Sequence, residues 1–253
     1  MNEYLLFFLV AIGLNVAMFV PAFVTQTDKL TDISYALTFI FLAIYGFSIS
    51  SKEPLHLVVA VAIILWGLRL GTFLFIRINA MKKDKRFDGM RESFFKFLRF
   101  WLLQGLSVAV ILLSALTIWL QKDTDITIWV YIGIGVFISG LLIEATADMQ
   151  KYSFNKIPEN KGKWIASGLW GISRHPNYLG EIMVWVGLFA ALIGQLTGWQ
   201  YLIASLSPLY IISLLIFVSG IPLLEKSADV RWGKDKKYQA YKSKTAVLIP
   251  RIW

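Results

Sequence analysis

Long apolar runs separated by short polar segments dominate this chain. A membrane-spanning helix needs roughly 20 consecutive, mostly apolar residues, and seven runs approach or exceed that length. They cover residues 4–24, 32–50, 55–77, 99–120, 127–148, 178–198 and 200–224. We therefore predict an all-α integral membrane protein, a seven-transmembrane-helix bundle with cytoplasmic loops and a C-terminal tail. The first run has no basic residues ahead of it and no clear small-residue cleavage site, so we interpret it as a retained helix rather than a signal peptide.

Composition agrees with a single membrane domain over residues 1–253. The chain is 57% hydrophobic and 16% charged, whereas about a quarter of a soluble domain is charged. No Pro/Ser-rich linker divides it. Cysteine is absent, which excludes disulfides and thiolate nucleophiles. The two histidines, His56 and His175, lie far apart in the sequence, so we expect no metal site.

The basic residues alternate between loops, and this alternation predicts an orientation. Segment 77–99 holds eight Lys/Arg, segment 151–175 five, segment 225–253 eight and segment 25–31 one, while the alternate loops hold only Lys52 and Lys122. Positive charge of this kind marks the cytoplasmic side. We therefore expect an outside N-terminus and a cytoplasmic C-terminus, with membrane lipids as the surroundings. A nucleic-acid surface would not need this alternation, so the net charge of +9 does not indicate a nucleic-acid partner.

The fifth run ends with two carboxylates four residues apart, Glu144 and Asp148, which share one helical face. One interpretation is a helix end with Lys151 as ionic partner. The other is a pair that accepts hydrogen bonds from the ribose or amide groups of a bound cofactor. The segment that follows favours the second interpretation.

That segment carries Arg174, His175, Asn177, Tyr178 and Glu181 at the start of the sixth run. Proline and asparagine at positions 176 and 177 predict a helix start there. The simplest interpretation is a capped helix beside an interfacial arginine. However, a helix N-terminus also suits phosphate, Arg174 can bind phosphate in a bidentate manner, and Lys163 would add charge. We therefore favour a binding site, since an ionisable group at membrane depth is costly unless it serves a function.

Charged groups also occur in the first half. Asp32 and Tyr35 share a face at the start of the second run, and Arg69 lies midway through the third. Because an arginine at membrane depth is costly, it needs a partner, and Asp32 is one candidate. A buried structural ion pair and a site role both remain open. His56 is more typical of an interfacial residue than of a catalytic one.

Several motifs resemble the steroid 5-alpha-reductase superfamily, and most closely its bacterial-type branch, the DUF1295 family. They are Gly168-Leu-Trp-Gly-Ile-Ser-Arg-His-Pro-Asn-Tyr-Leu-Gly-Glu181, the Glu144…Asp148 pair, Trp66-Gly-Leu-Arg69, Ser219-Gly-Ile-Pro222 and Tyr238-Gln-Ala-Tyr241…Leu248-Ile-Pro250. The resemblance implies seven helices and NADPH bound on the cytoplasmic side by the C-terminal half. It also implies that residues 1–125 mainly bind the lipid substrate and that residues 126–253 mainly bind the cofactor. The bacterial inner membrane is the location it implies.

Compared motif by motif with the family, this chain has residues that match a set of cofactor-binding positions. Asp148, Asn177, Glu181 and Tyr241 match cofactor-contacting positions of the reductases. Arg174 and His175 match the signature of the bacterial branch, Lys163 falls near a basic position that could meet the 2′-phosphate, and Arg231 is a weaker match. The full predicted set is Glu144, Asp148, Lys163, Arg174, His175, Asn177, Tyr178, Glu181, Arg231, Tyr238 and Tyr241.

The chain departs from the steroid reductases at the catalytic acid. Those enzymes use a tyrosine on the third helix, and this chain has none in Gly67-Leu-Arg-Leu-Gly71. Tyr35 or Arg69 is then the acid, with Asp32 nearby, or the substrate differs. The leading hypothesis is an NADPH-dependent reductase of a conjugated C=C bond in a lipid-soluble enone.

Two other functions stay open. The Arg-His-Pro-x-Tyr-x-Gly pattern and the tail Glu225…Tyr238…Tyr241…Pro250 are also similar to isoprenylcysteine carboxyl and phospholipid methyltransferases, which use S-adenosylmethionine. A non-catalytic lipid-binding or transport protein ranks last, because the paired broken helices of transporters are not evident. Every one of these functions involves a hydrophobic or lipid partner.

Overall fold

The computed structural model describes residues 2–80 and 87–250, with side chains at 79 and 80 excepted. Its helices are α1 (Glu3–Val24), α2 (Lys29–Ile49), α3 (Pro54–Ala80), α4 (Phe94–Ile111), α5 (Leu113–Trp119), α6 (Ile128–Lys156), α7 (Pro176–Leu192), α8 (Trp199–Ser213), α9 (Ile221–Trp232) and α10 (Lys236–Lys244). A π-helical turn, Leu214–Val218, follows α8. The only β-structure in these ranges is an isolated bridge between Ser173 and Ala246.

Seven helical segments within the described residues are long and apolar enough to cross a membrane. The predicted all-α fold and the seven predicted spans are thereby confirmed. The fourth span differs from its prediction, because α4 begins at Phe94 and ends at Ile111, and a short helix continues from Leu113. The sixth span begins at Pro176, where the proline was predicted to start it.

By its contacts the chain divides into two compact units. The first contains Met1–Thr127 and Leu192–Ser207, and the second contains Ile128–Ala191 and Pro208–Trp253.

A buried amide network holds α1, α2 and α4 together in the first unit. Gln104 Nε2 donates to Asn15 Oδ1 at 2.8 Å and to the Thr31 carbonyl at 3.1 Å. Asn15 Nδ2 in turn lies 3.3 Å from Thr38 Oγ1. All four residues are buried. Interhelical hydrogen bonds of this kind stabilise helix association in lipid, where apolar burial between helices gives little driving force.

Glycines bring α6 and α7 into close contact in the second unit. A Cβ on Gly140 would lie 2.6 Å from the Gly180 carbonyl oxygen, and one on Gly180 would lie 2.6 Å from the Glu144 nitrogen. Gly133 and Gly187, seven residues from these two, pack equally tightly. Small residues let two helix backbones approach in this way, and the approach sets Glu144 and Asp148 against the first turns of α7.

The C-terminal segment bends twice. After the π-helical turn, Gly220 has no room for a Cβ, which would lie 2.7 Å from the Leu215 Cα. The next helix, α9, ends at Trp232, and Asp235 caps α10 by accepting from the backbone N–H of Lys237 at 2.7 Å. The tail therefore forms two helices on either side of Gly233, and these helices supply one wall of the site described next.

Candidate functional site

The second unit contains a cavity of about 570 Å³, within the range of about 300–1,000 Å³ that is typical of ligand sites. Its walls come from the C-terminal end of α6, the loop between α6 and α7, α9 and α10. Six of the eleven predicted cofactor residues line it: Lys163, Arg174, His175, Arg231, Tyr238 and Tyr241.

Positive charge dominates the cavity lining. Among the described residues, five basic side chains and one carboxylate contribute to it. The basic residues are Lys151, Lys161, Lys163, Arg174 and Arg231, and the carboxylate is Glu225. Such a cavity favours an anionic ligand, because low-dielectric walls lined by one sign of charge concentrate the field.

The carboxylate of Glu225, on α9, contacts three basic side chains. Its Oε2 accepts from Arg174 Nη1 at 2.6 Å and lies 3.3 Å from Lys242 Nζ. Its Oε1 lies 2.9 Å from His175 Nε2. Arg174 and His175 are 10% and 6% exposed, so these bonds are largely shielded from water. The carboxylate therefore ties the start of α7 to α9 and α10.

A second set of bonds fixes the backbone before α7. The Arg174 backbone N–H donates to the Ala246 carbonyl at 2.8 Å, and this bond is part of the isolated bridge to the tail.

The Arg174 side chain has an unused donor. Arg174 Nε is buried and has no acceptor within the described residues. We predicted bidentate phosphate binding by Arg174, and the structure shows its Nη1 bonded to Glu225, with Nε among the donors left for a ligand.

Aromatic rings form another part of the cavity wall. Trp164 lies 5.2 Å from Tyr238 and 6.1 Å from Trp232, measured between ring centroids. Trp232 and Tyr238 are 5.7 Å apart. Trp232 Nε1 donates to the Gly162 carbonyl at 2.6 Å, which ties α9 to the loop. The rings are inclined to one another by 46° to 76°, and the face of a single ring is suited to stacking with an aromatic base.

Tyr241 is a hydrogen-bond donor rather than an acid–base group at neutral pH. Its hydroxyl donates to the Trp170 carbonyl at 2.7 Å, and burial raises the pKa of Tyr241 to about 12. Burial, followed by the negative charge of Glu225, also raises the pKa of Tyr238. For Lys242, burial opposes the charged form, but hydrogen bonds to Asp229 and Glu225 outweigh it and raise the pKa.

The other five predicted cofactor residues do not line this cavity; two lie near the end of α6 and three in the first two turns of α7. Asn177 Nδ2 donates to Asp148 Oδ1 at 3.3 Å, and the Tyr178 ring stacks on His175 with centroids 5.7 Å apart. Glu144 and Asp148 are 4% and 9% exposed. Glu181 lies one turn further along α7 from Asn177. The predicted set thus forms two groups, one in the cavity and one on the helix contact, joined through consecutive residues at the start of α7.

In the first unit, Asp32 pairs with Arg77 instead of Arg69. Arg77 Nη2 lies 2.8 Å from Asp32 Oδ2. Because α2 and α3 run antiparallel, the start of α2 is level with the end of α3, while Arg69 lies about 12 Å further along the helix at 1.5 Å per residue. The Arg69 guanidinium lies 5.8 Å from the Phe73 ring centroid, and Tyr35 packs edge-on against Phe39. The catalytic roles of Asp32, Tyr35 and Arg69 remain predictions.

Sequence reasoning missed four residues that the structure brings to the site: Trp164, Glu225, Trp232 and Lys242. Glu225 entered the analysis only as part of a tail pattern, since no local signal marks it among the other charges of the tail. The two tryptophans carry a weak signal, because each directly follows a basic residue, in Lys163-Trp164 and Arg231-Trp232.

The model of the DUF1295 family, a family of proteins of unknown function, matches residues 18–245. The chain belongs to this family. It is 39% identical to Delta(14)-sterol reductase of Arabidopsis thaliana over 19% of its own length and 16% of the reductase. It is 36% identical to Probable O-methyltransferase ustE of Ustilaginoidea virens over 26% of its own length and 23% of that protein. Each similarity thus covers less than a quarter of the curated relative, and no solved structure matches the chain.

Proposed function

We propose that this member of the DUF1295 family is an NADPH-dependent membrane reductase that saturates a conjugated C=C bond in a lipid-soluble enone. The observation that carries the proposal is the cavity of the second unit, where five basic side chains accompany one carboxylate beside an aromatic wall. A phosphorylated dinucleotide matches both features, because it carries several negative charges and two planar bases.

The sign of the charge distinguishes the two cofactors that the resemblances imply. NADPH carries a pyrophosphate and a 2′-phosphate, the latter alone contributing about −1.5 to −2 charges at pH 7. S-adenosylmethionine carries a sulfonium and an ammonium group against a single carboxylate, so it is a net cation. At about 4 Å a unit pair near a protein surface interacts by about 4 kcal/mol, which favours the polyanion over the cation in this cavity.

The groups on the contact between α6 and α7 complement the cavity. Asp148 and Glu144 offer carboxylate oxygens, and the Asn177 amide adds a donor beside Asp148. We expect them to bind ribose hydroxyls or the carboxamide of NADPH, since carboxylates accept strongly from O–H and N–H donors. Buried polar groups that already bond one another are held in place before a ligand arrives, which lowers the entropic cost of binding.

The reduction needs a hydride and a proton. NADPH, when bound, supplies a hydride to the β-carbon of the enone, and a proton is added at the α-carbon. A donor near the substrate carbonyl must stabilise the negative charge that develops on its oxygen. Tyr35 or Arg69 is the predicted donor, and Asp32, which pairs with Arg77, completes the predicted catalytic set.

The similarity to Delta(14)-sterol reductase supports a reductase and a flat, apolar substrate. Seven membrane-spanning segments also favour a substrate that reaches the site from the lipid phase. The second candidate, an S-adenosylmethionine-dependent methyltransferase, is favoured by the similarity to Probable O-methyltransferase ustE, which covers more of the chain. We rank it second because its cofactor is cationic.

Thermal unfolding of the detergent-purified protein with each cofactor tests the proposal. A ligand at about 100 times its dissociation constant stabilises the folded state by about 2.7 kcal/mol. We expect NADPH to raise the unfolding temperature and S-adenosylmethionine to leave it unchanged. Stabilisation by the methyl donor alone would reverse the ranking, and stabilisation by neither would favour a non-catalytic lipid-binding protein.

A further inference from the structure

The last membrane span is longer than a bilayer requires. It runs from Trp199 to Trp232, 34 residues, whereas roughly 20 residues cross the hydrocarbon core. The 15 residues of α8 and the five of the π-helical turn already supply that length. The helix then breaks at Gly220, and the 12 residues of α9 follow. We therefore expect α9 to begin at the membrane surface rather than to continue through the hydrocarbon.

The two sides of α9 have different surroundings. Glu225 and Trp232 line the cavity. Leu223 and Val230 are also seven residues apart, and at 3.6 residues per turn they share the other side of the helix. Their side chains are 58% and 82% exposed. We call Leu223 and Val230 the outer stripe of α9, and its continuity with a membrane span indicates that lipid covers it.

α10 lacks such a stripe. It lies wholly within the described residues and exposes no large apolar side chain. Its exposed residues include the lysines at both of its ends, Lys236, Lys237 and Lys244. A helix surface of this kind is suited to water, so we expect α9 rather than α10 to contact the membrane.

Two lysines flank the outer stripe. Lys226 lies between its two members along the helix, and Lys234 follows the end of α9; both are exposed. Neither forms an ion pair with any residue in ranges 2–80 and 87–250. The carboxylates of α9 are engaged elsewhere, since Glu225 binds Arg174 and Asp229 lies 2.6 Å from Lys242 Nζ. The charges of the two flanking lysines are therefore available to an anion outside the protein.

We propose that the outer stripe, with Lys226 and Lys234, is a docking surface for the anionic phospholipids of the surrounding membrane. Interfacial helices bury their apolar side by about 5–10 Å, which would place Leu223 and Val230 against the upper parts of the acyl chains. Long lysine side chains reach from that depth to the lipid phosphates. The surface lies on the opposite side of α9 from the cavity, so it does not depend on which cofactor the cavity binds.

Single cysteines can report the depth of α9, because the chain contains none. Leu223→Cys and Val230→Cys are spin-labelled in nanodiscs of equal parts phosphatidylcholine and phosphatidylglycerol. Ser243→Cys, at an exposed position of α10, is the matched control. We expect the two α9 labels to be accessible to oxygen, which concentrates in lipid, and shielded from a water-soluble nickel chelate. The control label should show the reverse.

The choice of lipid is tested by titrating the full-length protein in a zwitterionic detergent with short-chain phosphatidylglycerol and short-chain phosphatidylcholine. The double variant Lys226→Gln/Lys234→Gln is compared with Lys236→Gln/Lys237→Gln, which changes the charge of α10 equally. We expect the wild type to bind phosphatidylglycerol more tightly than phosphatidylcholine. The first double variant should lose roughly tenfold or more of that affinity, since each lysine near an anionic surface contributes roughly fivefold, and the second should change little. Inorganic phosphate should not displace the lipid, because it has no acyl chain to contact the outer stripe.

Several results would overturn the docking surface. Equal access of the nickel chelate to the labels at positions 230 and 243 would place α9 in water. Equal affinity for the two lipids, or equal losses in the two double variants, would show that Lys226 and Lys234 do not bind the headgroup. Displacement by inorganic phosphate would show an anion site that needs no lipid. All replaced residues are exposed, so the variants should fold, which size-exclusion chromatography checks. None of these measurements involves NADPH, so their failure would leave the proposed function standing.

Discussion

Glu225 Oε1 lies 2.9 Å from His175 Nε2, although the two residues are 50 positions apart in the chain. The same carboxylate accepts from Arg174, the residue before His175. A charge-assisted bond of this kind is stronger than a neutral one, and here it connects the first residues of α7 with α9. The Glu225 carboxylate is therefore one of the groups that set the shape of the cavity between these elements.

Replacing Glu225 with glutamine should loosen this connection. Glutamine keeps the size of the side chain but removes the negative partner of Arg174, while Lys242 keeps its ion pair with Asp229. We expect the free energy of unfolding to fall by about 2 kcal/mol, the cost of a lost hydrogen bond to a charged group. Thermal unfolding in detergent measures the change. Glu159→Gln, at an exposed site, is the control, and equal stability of the two variants would show that the carboxylate has no structural role.

The close contact of α6 and α7 makes a second prediction. Gly140→Ala adds a methyl group where only 2.6 Å separates the new Cβ position from the Gly180 carbonyl oxygen, so the helices must move apart. Overpacking of this kind costs about 1–3 kcal/mol. Gly135→Ala is a matched control on the same helix, since nothing lies within 4 Å of its Cβ position. A similar unfolding temperature for both variants would contradict the close contact.

The hydropathy of the sequence was enough to predict the seven spans, because the cost of exposing a backbone to lipid leaves few alternatives to an apolar helix. The start of α7 could be predicted from the helix-start preferences of Pro176 and Asn177. The partner of Asp32 could have been predicted too, since two antiparallel helices joined by a short loop bring the start of one level with the end of the other. By that argument Arg77 is the natural partner and Arg69 lies too far along α3.

The shape of the site could not be predicted in the same way. Glu225 meets His175 only because the chain changes direction around Gly220, before α9, and local sequence gives no measure of that angle. Asp148 and Asn177 were both in the predicted set, but their contact depends on the register between α6 and α7. The glycines that fix that register act through the space they leave, which a sequence pattern alone does not reveal.

Tyr241 gives a prediction about pH. Its pKa is raised to about 12 from the ordinary value of 10.0, so its contribution to stability is complete below pH 10 and is lost as the pH rises towards 12. We expect Tyr241→Phe to be less stable than the wild type by about 1 kcal/mol at neutral pH, through loss of the bond to Trp170. Thermal unfolding of both proteins between neutral and alkaline pH should show the difference shrinking above pH 10. A constant difference across that range would contradict the raised pKa.

The predicted orientation is testable because the chain contains no cysteine. Single cysteines at Lys122 and Lys237 would report on opposite sides of the membrane. We expect a membrane-impermeant maleimide added to intact cells to label Lys122→Cys, and to label Lys237→Cys only after the membrane is permeabilised. The wild type serves as the unlabelled control, and the reverse pattern would place the C-terminus outside.

Replacing polar residues in the first two turns of α7 should weaken NADPH binding without affecting folding. Asn177→Ala removes the donor that bonds Asp148 and that we expect to contact the cofactor, and Glu181→Ala removes a carboxylate one turn further along α7. Each should weaken NADPH binding by roughly tenfold or more, while the proteins still insert and remain monodisperse. Ser139→Ala, at an exposed site on α6, is the control.

Calorimetric titration of the detergent-purified protein with NADPH tests the central claim most directly, with wild type and Asn177→Ala measured side by side. We predict saturable binding of one NADPH to the wild type, no competition from S-adenosylmethionine, and weaker binding to the variant. Saturable binding of S-adenosylmethionine with no heat from NADPH would contradict the account.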